Sequence, residues 1–129
     1  MCHQEPETCD HLFFGCAFAV SIWKEMLRNC GLERESLGWD GELRWASTKI
    51  RGKAMITTLL RVGWSAFIYH IWKERNCRLF QHKEETTLKI LEDIMKVTWY
   101  RLAKLKKVEA DEINIKLQKS WGLLDSIFY

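Results

Sequence analysis

The sequence predicts an all-α domain of about four to five helices, preceded by a small irregular segment rich in Cys and His. Three observations lead there. Apolar residues recur at helical spacing in successive stretches. Pro6 is the single proline, so no proline breaks those stretches. Hydrophobic residues make up 47%, with seven Trp and six Phe, enough bulk to fill the space between helices. A chain of 129 residues fits one domain, with 1–16 as its head and 17–129 as its helical body.

Residues 17–30 read as the first helix. Phe18, Ile22, Met26 and Leu27 fall at helical spacing, with Trp23 beside them. Asn29-Cys30-Gly31 is its stop, Gly31 supplying the left-handed residue. Cys30 reads as a buried structural thiol. Residues 31–52 form a connector punctuated by Gly38, Gly41 and Gly52. A short helix near 40–47, capped by Asp40, is expected inside it, with Trp39, Leu43 and Trp45 folding onto the core.

The longest helix is expected over 53–79. Ile56, Leu59, Leu60, Gly63, Trp64, Phe67, Ile68, Ile71 and Trp72 give it a wide apolar face, which makes it the central helix. Gly63 invites close approach of a neighbour. His70 reads as a hydrogen-bonded, partly buried side chain, and Lys73, Arg75 and Arg78 as complements to the helix dipole. Asn76 reads as a tie from the helix end to a nearby loop. A polar turn over 80–85 follows. Thr86 or Thr87 caps the next helix, expected to run to about Val108 with Leu88, Leu91, Met95, Leu102 and Leu105 as its buried stripe. Asp111 opens a last helix in which Ile113, Leu117 and Trp121 align, and Gly122 ends it. The closing residues 123–129 are apolar enough to pack on the core.

The head carries most of the chemistry. Cys2, His11 and Cys16 have the spacing Cys-x8-His-x4-Cys, and thiolate with imidazole is the donor set of a structural zinc site. Three ligands leave a fourth position to Cys9, to the less favourable His3, to water or to a cysteine outside this sequence. Five cysteines, an odd number, with no apolar signal stretch argue for reduced thiols in an intracellular compartment, nuclear or cytoplasmic. No stretch reaches the ~18 continuous apolar residues of a membrane span.

Net charge is +3 but unevenly spread: −4 over residues 1–48, +6 over 49–82 and +1 over 83–129. Lys96, Arg101, Lys104, Lys106 and Lys107 follow one another with no acid between them. Clustered cations of this kind release counterions from phosphates, so this run is the candidate footprint for RNA or DNA.

A resemblance joins these features. The run Glu7-Thr8-Cys9-Asp10-His11-Leu12-Phe13-Phe14-Gly15-Cys16, continuing through Phe18 to Trp23, resembles the zinc-binding domain at the carboxy-terminal end of plant non-LTR (LINE-type) retrotransposon reverse transcriptases. Ile71-Trp72-Lys73-Glu74-Arg75-Asn76-Cys77-Arg78-Leu79-Phe80 matches that family's second block, Ile-Trp-x-x-Arg-Asn-x-Arg-x-Phe. The resemblance covers roughly residues 1–82. It implies a zinc-knuckle-like head, truncated at its leading cysteine, with Cys2, His11 and Cys16 as ligands. A site short of that cysteine holds zinc weakly or not at all.

No Gly-rich phosphate loop, Gly-x-Ser-x-Gly elbow, His-Glu-x-x-His or Asp-Asp pair for polymerase metals occurs. The expected function is therefore non-catalytic: a zinc-binding, nucleic-acid-associated domain with no small-molecule substrate and no membrane partner. The competing expectation is a helical protein-interaction or vestigial domain without zinc or nucleic-acid binding.

Overall fold

In the computed structural model, the described residues are 12–13, 16–35, 37–49, 51–52 and 54–128. They form five helices and no strand: α1 (Ala17–Asn29), α2 (Gly38–Lys49), α3 (Met55–Phe80), α4 (Thr87–Leu102) and α5 (Glu112–Ser120), closed by a 3₁₀ turn at Asp125–Phe128. The all-α expectation holds, as does the central place of the longest helix. α3 packs against α1, α2, α4 and α5.

Local signals explain most of the boundaries. α1 ends in a Schellman motif: the Leu32 amide donates to the Leu27 carbonyl and the Gly31 amide to that of Arg28, with Gly31 at φ +78°. α5 ends the same way, through Leu123 to Gln118 and Gly122 to Lys119. Thr86 caps α4 by accepting from the Lys89 amide, and Asp111 caps α5 by accepting from that of Asn114. α2 is longer than expected and starts at Gly38, so Asp40 lies in its first turn rather than at its cap.

The core is continuous. From α1 it takes Ala19, Ile22, Trp23, Met26 and Leu27, and from α3 Met55, Leu59, Gly63, Phe67 and Ile71. A Cβ on Gly63 would meet the terminal methyl of Met26, so the end of this methionine fills the space that glycine leaves between α1 and α3. Cys30 is buried as expected. The aromatic residues gather where the amino-terminal segment meets the helices. Phe13 stacks on Trp39 at 5.3 Å between centroids, and Trp23 lies 5.0 Å from Phe67 and 5.4 Å from Trp64.

α4 departs from expectation. It ends at Leu102, not near Val108. Lys107 adopts φ +57°, and the Val108 amide donates to the Ile127 carbonyl at 2.9 Å instead of continuing the helix. Leu105 and Val108 still pack on the core, but from a loop. The buried stripe is Ile90, Ile94, Thr98 and Leu102, whereas Leu88 is exposed. In α5, Leu117 and Trp121 are buried and Ile113 is exposed. Leu123 and Ile127 bury the closing segment, and the Trp121 indole donates to the Asn29 carbonyl at 2.9 Å, tying the end of α5 to the end of α1.

Candidate zinc and nucleic-acid sites

Cys2, His3, Cys9 and His11 lie outside the described residues, so Cys16 is the described member of the expected metal site. It occupies the N-cap of α1 and is buried. Its carbonyl accepts the Val20 amide, while its side chain makes no capping bond and no disulfide. Leu12 and Phe13, the residues that follow His11, are buried in the core. Leu12, Phe13 and Cys16 are thus each buried against the helical body. A thiol not spent on capping or cross-linking suits a zinc ligand, and thiolate with imidazole is the donor set that zinc prefers. Among the described residues no three His, Cys, Asp or Glu side chains gather to hold a metal. Cys30 sits deep in the core, where burial pushes its thiol up to about 12. That suits a packing role and not a thiolate ligand.

The five candidate cations are divided by the early end of α4. Lys96 and Arg101 stand on the helix, Lys104 in the turn after it, and Lys106 and Lys107 in the loop towards α5. Lys96 borders a groove with Asn29, Met95 and Trp121. Lys106 and Lys107 border another, against the start of α3. Arg101 borders a third. These residues do not form one stripe along a helix.

That third groove lies between α3 and α4 and holds about 540 Å³. Val62, Ala66 and Val97 give it an apolar floor, with Ser65, Tyr69 and His70 along α3. Arg61 and Arg101 border it, and among the described residues no carboxylate does. Arg61 also donates to the Gly52 carbonyl at 3.4 Å. His70 is half-buried. Burial, helped by Lys73, lowers its imidazole below the ordinary value against the opposing pull of Asp93. Asp93 is itself paired with Lys89 at 2.9 Å. In the sequence forty residues separate Arg61 from Arg101; only the packing of α3 on α4 brings the two to one groove.

The Ile71–Phe80 block is bound into the fold. Ile71 and Glu74 are buried. The Glu74 carboxylate accepts the Glu85 amide at 3.1 Å and pairs with Arg78 at 3.3 Å, fixing the turn between α3 and α4. The Arg78 guanidinium lies over the Phe18 ring at 4.5 Å. Asn76 accepts from Arg75, the residue before it. A second buried carboxylate, Glu42 of α2, accepts from Trp23, Arg34 and the Leu37 amide.

No helix is long and apolar enough to cross a membrane among the described residues. Comparison with family models, with curated proteins and with solved structures returns no match.

Proposed function

We propose that this chain is a zinc-anchored, non-catalytic helical domain that engages nucleic acid, of the kind attached to non-LTR retrotransposon reverse transcriptases. One observation carries the reading. The two sequence blocks that resemble that domain stand about fifty residues apart, and they meet through Arg78 of the second and Phe18 of the first. The contact supports reading the two blocks together, and their order and spacing in the sequence carry the resemblance. The head would hold zinc through Cys2, His11 and Cys16, with Cys9 or water in the fourth position. Zinc there would be structural, fixing a short loop that has little core of its own. Lys96, Arg101, Lys104, Lys106 and Lys107 would supply phosphate contacts to RNA or DNA. Free thiols at Cys16, Cys30 and Cys77 favour a reducing, intracellular setting.

The reading is tested by binding to single-stranded RNA and to duplex DNA across a salt series. Three to five phosphate contacts predict a log–log slope of roughly −2 to −4. Millimolar binding with no salt slope would remove nucleic acid from the account. A second reading, a surface for a protein partner, is favoured by the exposure of Trp72, Phe80 and Leu88. Nucleic-acid binding that is absent, together with recovery of a stable partner complex, would favour it.

A further inference from the structure

We infer that the groove between α3 and α4 holds an unpaired strand of nucleic acid, with phosphates against Arg61 and Arg101 and a base against Tyr69. This rests on the nucleic-acid reading above and gives it a place. A duplex presents only its phosphate backbone and groove edges, and neither needs an apolar floor. An unpaired base does, because its faces are open to stacking. The groove joins both requirements. Val62, Ala66 and Val97 line its floor, arginines border it, and among the described residues no carboxylate lines it; Asp93, whose charge reaches His70, is paired with Lys89. Arg61 and Tyr69 are eight residues apart on α3, about 12 Å along the helix axis. A volume of about 540 Å³ has room for a base and its sugar.

Ring exposure points the same way. Tyr69, which lines the groove, is 55% exposed. Trp72, three residues on, is 53% exposed and offers a second ring on a neighbouring part of the helix surface. Arginine is the cation suited to this work, since its planar fork pairs with phosphate and its flat face stacks on bases. Lys104, Lys106 and Lys107, which follow α4, do not line this groove. They can attract a strand without reading that it is single.

The test is a fluorescence-anisotropy titration of a short unstructured RNA, the matching single-stranded DNA and the matching duplex. Four proteins are compared: the unmutated chain, Tyr69→Ala, Val97→Glu, and a triple variant with Lys104, Lys106 and Lys107 changed to Ala. Tyr69 and Val97 are both exposed, so an unchanged thermal midpoint is expected for each groove variant and is checked first. Loss of one stacked base predicts about tenfold weaker single-strand binding for Tyr69→Ala. Val97→Glu, which sets a negative charge on the floor, predicts at least that loss. The triple variant should weaken single strands and duplex alike, without changing their ratio. If both groove variants bind as the unmutated chain does while the triple variant fails, nucleic-acid binding stands and the groove is the wrong place. If the unmutated chain binds no nucleic acid, both readings fall. Capture of an acidic amphipathic helix by the groove in that case would assign it to a protein partner.

Discussion

The indole Nε1 of Trp23 donates to Oε2 of Glu42 at 3.1 Å, joining α1 to a carboxylate with no exposed surface in α2. The same oxygen pairs with Arg34 at 2.8 Å, and Oε1 accepts the Leu37 amide at 3.0 Å. Arg34 in turn lies 4.2 Å over the Trp45 ring. Every donor around the carboxylate is directed at it, so a buried charge is tolerated and the connector from α1 to α2 takes one path.

Glu42→Ala therefore leaves Trp23, Leu37 and Arg34 without their acceptor, and a loss on the order of 3 kcal/mol is expected. Glu42→Gln should cost nearly as much, because its amide turns a donor toward donors. Urea unfolding of both variants checks this. In a double-mutant cycle with Arg34→Ala, the two losses should fall short of additivity by about 1 kcal/mol or more. Independent, additive losses under about 1 kcal/mol would show that the network is incidental.

Cys30 makes stability depend on alkaline pH. Burial raises its thiol from 9.0 to about 12. The unfolded chain ionises first, so the folded chain binds more protons above pH 9 and stability falls as pH rises from there towards 12. Between about pH 8 and pH 10 the Cys30 contribution to that fall is on the order of 1 kcal/mol. The measurement is the difference in pH dependence between the unmutated chain and Cys30→Ala. Equal slopes would contradict the assignment. A thiol reagent should also leave Cys30 unmodified until the chain unfolds.

The features legible in the sequence are those set within a few residues. Gly31 and Gly122 stop helices because each supplies a left-handed residue at the place where the carbonyls need closing. Thr86 and Asp111 start helices because their side chains reach an amide three residues on. The central helix was visible in its apolar residues, and the buried Cys30 in its place beside them. The end of α4 was not visible. Leu105 and Val108 keep an apolar spacing that reads as more helix, and only the Ile127 carbonyl, nineteen residues beyond Val108, takes that amide elsewhere.

Buried charges were hidden for a similar reason. Glu42 and Glu74 look like ordinary surface acids in the chain, because their donors arrive from other segments. The α3–α4 groove depends on the same kind of distant pairing, and its arginines belong to different charge blocks of the sequence. The metal role of Cys16 rests on its spacing to His11 and Cys2 in the sequence; its burial at the head of α1 is a packing feature that this spacing does not predict.

The most direct test of the central proposal is the zinc content of the purified chain, measured by elemental analysis beside Cys16→Ser. Zinc held by the unmutated chain and lost from Cys16→Ser is the expected result. Zinc below about a tenth of an equivalent in the unmutated chain, or full retention in Cys16→Ser, would contradict it.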